Sequence, residues 1–121
     1  MQIYQGEPIT FKINQKTTDS SGEEHYVSSF DDYVFEALMK DSAKKIIKTW
    51  STEDETIIVG TETVDGETAA KASWWLTGVE TALLKEGLYS IELARIINSG
   101  RGIGIASDVV QIKEALIREG I

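Results

Sequence analysis

Apolar and polar residues alternate along several short segments of this chain, and a two-residue period is typical of β-strands with one buried face. In residues 9–13 the apolar side chains are Ile9, Phe11 and Ile13, which share one face. Residues 88–97 repeat the pattern, with apolar side chains at positions 89, 91 and 93. Both segments are therefore predicted to be half-buried strands.

Residues 32–40 allow two interpretations. Tyr33, Phe35, Ala37 and Met39 alternate with mostly polar residues, which predicts a strand. Most of the same residues also have good helix propensity, so a helix is the alternative. We favour the strand because the alternation runs through the whole segment.

The middle of the chain predicts successive strands joined by turns. Residues 44–50 and 56–59 are rich in β-branched residues, and the acidic segment 51–55 separates them. Asp65-Gly66 is a residue pair that tolerates positive φ in a two-residue turn. The residues before this turn and residues 67–76 after it are therefore expected to form a hairpin.

A short helix is predicted near residues 78–86. Thr77 and Glu80 have the spacing of a capping box, in which both side chains bind free N–H groups at a helix start. Gly87 is placed to end the helix at its C′ position.

The last strand is expected to contain an irregularity. Ile103 and Ile105 have the opposite parity to Val110 and Ile112. A bulge near Ser107-Asp108 would bring all four side chains to one face.

The whole pattern predicts an all-β fold. About seven short strands at these spacings indicate an immunoglobulin-like β-sandwich with one short helix. At 121 residues and 13.4 kDa the chain fits a single domain, residues 1–121, with a sizeable core.

Composition narrows the class of partner. The net charge of −8 repels phosphate backbones and anionic lipid, so nucleic acid and membranes are not expected partners. The absence of cysteine excludes a disulfide scaffold and a thiolate metal site. The N-terminal residues lack the pattern of a signal peptide, so we expect cytoplasmic synthesis.

Candidate catalytic chemistry is sparse. The one histidine, His25, lies in a polar segment, whereas catalytic triads and histidine metal sites need several convergent groups. Residues 100–104 are glycine-rich, but strand-type residues follow them where a phosphate loop needs a helix, so we expect a hairpin turn. The acidic groups in 19–24, 31–32 and 53–55 lack the spaced pattern of a calcium loop. We therefore predict no enzyme activity, no cofactor and no metal site.

Three tryptophans are candidates for surface contacts, because aromatic side chains anchor protein interfaces. Trp74 lies on the apolar face of segment 67–76 and is assigned to the core. Trp75 is out of phase with that face, which makes it the first candidate interface residue. Trp50 is the second.

Two stretches carry a family resemblance. Residues 76–93 contain a leucine and threonine, a short acidic helix and then a Gly-x-Tyr strand, after the Asp65-Gly66 turn. Residues 5–13 are similar to an opening x-Gly-Asp-x-x-x-Phe strand. In these features the chain resembles phage-encoded β-sandwich domains, including the N-terminal domains of tailed-phage baseplate upper proteins. Residues 26–32 depart from the family's Pro-x-Asp-Leu-Thr-Gly loop.

The resemblance implies a non-enzymatic structural protein of a phage or prophage tail, associated with the virion through its baseplate. Its implied partners are other tail or baseplate proteins, or further copies of itself. The alternative is a small carbohydrate- or ligand-binding module, in which Trp75 and Trp50 stack on a sugar.

Overall fold

A computed structural model describes residues 1–97, 100 and 102–115 of the protein. Within those ranges the chain forms ten strands and one short helix. In chain order the elements are β1 (Gln2–Tyr4), β2 (Ile9–Ile13), β3 (Lys16–Thr18), β4 (Glu24–Tyr26), β5 (Val34–Lys40), β6 (Ile46–Ser51), β7 (Ile58–Val64), β8 (Glu67–Leu76), α1 (Gly78–Ala82), β9 (Gly87–Ile96) and β10 (Gly102–Lys113).

The strands form two main sheets around one core. The larger sheet has the order β1-β10-β9-β5-β6, the smaller one has the order β2-β8-β7, and β3 and β4 form a separate hairpin. Strand β1 runs parallel to β10, whereas the other described pairs are antiparallel. The protein is an all-β, immunoglobulin-like sandwich, as the sequence predicts.

The strand count differs from the prediction of about seven. Strands β1, β3 and β4 have three residues each, too few to show a two-residue period. None of the strands predicted from the sequence covers residues 16–26, whereas Lys16–Thr18 pairs with Glu24–Tyr26. The segments before Asp65 form one continuous strand, β7, because Gly60 does not interrupt its pairing with β8.

Alternation correctly predicts the core. Phe35, Ala37 and Met39 of β5 are fully buried, and β5 is an interior strand between β6 and β9. Burial of these alternate side chains in the core outweighs the helix propensity of the segment, because propensity is a weak preference that tertiary packing overrides. At the β7–β8 turn, Asp65 and Gly66 have φ values of 50° and 80°, which confirms the predicted tight hairpin.

The helix begins as predicted and ends early. Thr77 accepts a hydrogen bond from the Glu80 N–H, and the Glu80 carboxylate accepts one from the Thr77 N–H, so the capping box is confirmed. However, α1 ends at Ala82, and Gly87, with φ of 150°, begins β9 rather than capping a helix. Among the described residues, no helix has the length and apolar composition needed to span a membrane.

A buried tyrosine binds the segment between α1 and β9. The hydroxyl of Tyr89, near the start of β9, donates to the Lys85 carbonyl at 2.6 Å. Burial raises the pKa of this phenol, with a further contribution from Asp41. A tyrosine bonded to the backbone just upstream is a hallmark of immunoglobulin-like sandwiches. The hydrogen bond joins the segment after α1 to the start of β9.

Strand β10 contains the expected bulge at a different place. Its register against β9 shifts between Gly104 and Ala106, rather than near Ser107-Asp108. Pairing of Gly102 with Ile96 shows that β9 and β10 form an antiparallel hairpin. Of the glycine-rich residues 100–104, for which a hairpin turn is predicted, residue 101 lies outside the described residues.

Candidate interaction surface

The outer face of the three-stranded sheet carries an exposed apolar patch. Trp75 on β8 is 43% exposed and Ile58 on β7 is 45% exposed. Thr10 is paired with Trp75, and Ser73 with Ile58. Trp75 and Ile58 therefore lie diagonally across neighbouring strands, within reach of each other. We call the surface formed by Trp75, Ile58, Thr10 and Ser73 the Trp75 face.

Strand alternation places Trp75 outside and its neighbour inside. Trp74 is 3% exposed, and its ring stacks on Phe11 with centroids 5.7 Å apart and an interplanar angle of 23°. Leu76 is also buried. The predictions that Trp74 belongs to the core and that Trp75 points away from it are both confirmed.

A polar network borders the Trp75 face. The Lys12 ammonium on β2 lies 2.8 Å from the Glu62 carboxylate on β7, so this ion pair crosses β8. The Asn14 amide also donates to Glu62 at 2.9 Å, and to the Ala70 carbonyl at 3.0 Å. The hydrogen bond from Lys12, followed by the one from Asn14, lowers the pKa of Glu62. The apolar patch is thus bounded by charged and amide side chains, as protein interfaces commonly are.

Trp50 is a core residue, which corrects the expectation that its ring is available for contacts. It lies on β6, is 3% exposed, and meets Phe11 edge to face at 6.3 Å. Its indole N–H donates to the Trp75 carbonyl at 3.0 Å. Since β6 and β8 belong to different sheets, this hydrogen bond joins the two sheets directly behind Trp75.

The hairpin β3–β4 brings His25 close to three acidic side chains, of which Glu67 on β8 is distant in the sequence. Nε2 of His25 lies 3.0 Å from Asp19 and 3.7 Å from Glu23, while Nδ1 lies 3.4 Å from Glu67 on β8. One ligand atom from each of Asp19, Glu23 and His25 falls within 4.8 Å of the others. All three side chains are exposed, so the cluster is a solvated surface group. The sequence did not predict this cluster because it did not predict the β3–β4 hairpin that forms it.

Asp19 makes the stability of this hairpin dependent on pH. Its carboxylate accepts hydrogen bonds from the Ser21 hydroxyl and the N–H groups of Ser21 and Glu23. The Ser21 hydroxyl is the largest cause of the lowered pKa of Asp19. A pKa depressed by folding stabilises the folded state above the unfolded value of about 3.9, and that contribution disappears as pH falls through the lower folded value.

We therefore expect Asp19→Asn to reduce the free energy of unfolding at pH 7 and to have a progressively smaller effect below pH about 3.9. Urea unfolding of both proteins across that range measures the difference. Asp31→Asn is the control, because its carboxylate has no such network among the described contacts. A difference between Asp19→Asn and the parent that stays constant with pH would contradict the assignment.

Comparisons with known proteins give no functional relative. No family model matches the sequence, and no curated protein matches it. Among solved structures, a structure of murine CRIg aligns over 95% of this chain and 91% of its own, with a TM-score of 0.38 and 11% identity. A likeness at this level says nothing about function.

Proposed function

We propose that this domain is a non-catalytic assembly protein that acts through protein–protein contacts centred on the Trp75 face. The observation that carries the proposal is the exposed Trp75 ring beside the exposed Ile58 side chain on a regular sheet surface. Large aromatic side chains are enriched in interfaces and contribute a large share of binding energy. The hydrogen bond from Trp50 fixes the backbone behind the ring, which lowers the entropic cost of ordering it on binding.

A protein partner fits this surface better than a sugar. With Trp50 in the core, a stacking platform of two tryptophans is lost, and the side chain diagonal to Trp75 is the aliphatic Ile58. Sugar sites combine an aromatic platform with several precisely placed hydrogen-bonding groups. The polar side chains at the border of this face, Lys12, Glu62 and Asn14, already bind one another. Close to Trp75 the paired strands offer the short hydroxyl side chains of Thr10 and Ser73.

We further propose that the assembly is a phage or prophage tail, with further copies of this chain or other tail proteins as partners. The support for that setting is the resemblance of residues 5–13 and 65–93 to phage baseplate domains. Co-expression with the products of the flanking genes tests it. Tail genes in the flanks and a complex with one of their products would support the setting, whereas flanking genes unrelated to a virion would contradict it.

Replacing Trp75 by threonine is expected to weaken self-association, or binding to such a partner, by about tenfold. Threonine also favours strands and would keep the side chain pointing outward, so the loss of affinity measures the contribution of the aromatic ring. Sedimentation velocity over a concentration series measures the dissociation constant for self-association, and calorimetry measures it for a partner.

The matched control is Val109→Thr, which removes an exposed apolar side chain from the outer face of the other sheet. It is expected to leave the dissociation constant unchanged. Equal effects of the two substitutions would show that binding does not use the Trp75 face. A tryptophan fluorescence response to a glycan panel that disappears in Trp75→Thr would favour the sugar-binding alternative.

A further inference from the structure

The β3–β4 hairpin and the start of β8 surround His25 with three carboxylates. Nε2 of His25 lies 3.0 Å from the Asp19 carboxylate and 3.7 Å from that of Glu23, and both acids belong to the turn of the hairpin. Nδ1 lies 3.4 Å from the carboxylate of Glu67 on β8. Both ring nitrogens therefore face acidic oxygens, and one of the three acids comes from a different sheet.

The negative charge of these three acids is not balanced by lysine or arginine. Among the described residues, no lysine or arginine pairs with Asp19, Glu23 or Glu67, whereas Glu24 of the same hairpin pairs with Lys16. His25 supplies at most one positive charge against three negative charges. A divalent cation between the carboxylates would offset this imbalance, because a nearby opposite charge favours the ionised form of a carboxyl group.

The imidazole has the surroundings of a metal ligand. A neutral imidazole carries one N–H, so it donates through one ring nitrogen only. When Nδ1 donates to Glu67, the lone pair of Nε2 points toward the oxygens of Asp19 and Glu23 with no proton between them. Histidine ligands of metal ions commonly donate their second N–H to a carboxylate in this way. Three electron-pair donors then converge on one point.

The turn of the hairpin holds the Asp19 carboxylate in place. Its Oδ1 accepts hydrogen bonds from the N–H groups of Ser21 and Glu23 and from the Ser21 hydroxyl. The other oxygen, Oδ2, is the one that faces His25. A carboxylate ligand is usually oriented by hydrogen bonds of its own, so Asp19 presents Oδ2 without further rearrangement.

We propose that Asp19, Glu23 and His25 bind one divalent transition-metal ion of the zinc class, and that Glu67 orients the imidazole. A tetrahedral Zn²⁺ ion with bonds of about 2.0–2.1 Å separates its ligand atoms by about 3.3 Å. The distances from Nε2 to the two carboxylates, 3.0 and 3.7 Å, lie on either side of that value. All three ligand atoms fall within 4.8 Å of one another, so small rotations of exposed side chains complete the site. Water takes the fourth position.

The ligand types favour zinc over calcium and magnesium. Ca²⁺ and Mg²⁺ take six or more ligands, which are oxygen atoms, whereas imidazole suits Zn²⁺, Ni²⁺ and Cu²⁺. One nitrogen and two carboxylate oxygens with an open fourth position match the coordination of zinc. The bound ion would join the turn of the hairpin to β4 and, through Glu67, fix the hairpin beside β8. This inference is independent of the proposed function, because the site shares no residue with the Trp75 face.

A zinc titration of the full chain without an affinity tag tests the proposal. The chain has one histidine and no cysteine, so its imidazole NMR signals come from His25 alone. Calorimetry is expected to show one equivalent of Zn²⁺ bound. The same addition is expected to shift the Nε2 signal while Nδ1 keeps its proton. Ca²⁺ at the same concentration is expected to cause neither change.

Substitutions distinguish a defined site from the general attraction of cations to an acidic protein. His25→Gln removes the nitrogen ligand and is expected to weaken Zn²⁺ binding more than about 100-fold, whereas Glu67→Gln removes only the orienting charge and is expected to weaken it about tenfold. These side chains are 47% and 42% exposed, so the variants are expected to fold. Glu24→Gln is the matched control, because it removes a carboxylate from the same strand as His25 and is expected to leave Zn²⁺ binding unchanged.

Three results would overturn the proposal. They are the absence of heat and of any change in the His25 signals at Zn²⁺ concentrations up to about 1 mM, equal Zn²⁺ binding by the parent and His25→Gln, and Ca²⁺ binding as tight as that of Zn²⁺. None of them bears on the association that depends on Trp75. Failure here and failure of the proposed function are therefore distinguishable.

Discussion

Replacing Trp50 by alanine is expected to lower the free energy of unfolding by about 3–5 kcal/mol, the range for deleting a large buried aromatic side chain. The ring is buried and contacts Phe11 edge to face. The Lys48 ammonium lies 5.6 Å from the ring centroid, and Lys48 also pairs with Glu80 of α1. Alanine would leave a cavity that the two rigid sheets cannot close.

Trp50→Phe separates packing from hydrogen bonding. Phenylalanine retains most of the apolar contact but cannot donate to the Trp75 carbonyl, which is 3.0 Å from the indole nitrogen. We expect the free energy of unfolding of this variant to be about 2 kcal/mol lower than that of the parent, because the Trp75 carbonyl would be buried without a hydrogen-bond donor. Chemical denaturation of both variants measures the two losses, with Val109→Ala as the surface control. A phenylalanine variant as stable as the parent would show that the hydrogen bond between the sheets contributes nothing.

Thr81→Val is expected to lower the free energy of unfolding by about 1–3 kcal/mol, although the two side chains have nearly the same shape. Thr81 is the one fully buried polar residue among those described, with 0% exposure. Its hydroxyl donates to the Glu7 carbonyl at 2.8 Å and accepts from the Gly6 N–H at 3.1 Å. Valine removes both bonds and leaves two backbone groups of the β1–β2 turn without these partners.

The start of α1 lies in close contact with the β1–β2 turn. A Cβ added at Gly78 would lie 2.5 Å from the Gly6 carbonyl oxygen, so the turn and the helix are already in close contact. Thr81→Ser keeps the hydroxyl, and is expected to lose less stability than Thr81→Val. Thermal and urea unfolding of the pair measure the difference. If serine proved the more damaging change, the methyl packing of Thr81 and not its hydrogen bonds would hold this junction.

These two predictions bear on the proposed interface. Trp50 supports the strand that presents Trp75, and Thr81 anchors the short helix that follows this strand. Buried core residues therefore lie behind the Trp75 face, and the hydrogen bonds of Thr81 fix the helix that follows β8. A surface held in this way is preorganised for contact, because few of its groups must be ordered on binding.

The sequence predicts the features that depend on near neighbours. Alternation identifies the inward side chains of β2, β5, β8 and β9, and it separates Trp74 from Trp75 because successive side chains on a strand point to opposite faces. The Asp65-Gly66 turn and the Thr77–Glu80 capping box are also local, since each depends on residues at most three positions apart. Together these local features are enough to predict an all-β sandwich.

Only the tertiary structure decides the features that depend on contacts between distant elements. Trp50 is buried because β6 packs over β8, and the irregular polarity of residues 46–51 does not reveal which side chain faces inward. The segment after Ala82 is bonded to β9 through the Tyr89 hydroxyl and the Lys85 carbonyl, a contact that the helix signals in the sequence do not show. His25 meets Asp19 and Glu67 because a polar hairpin folds beside β8.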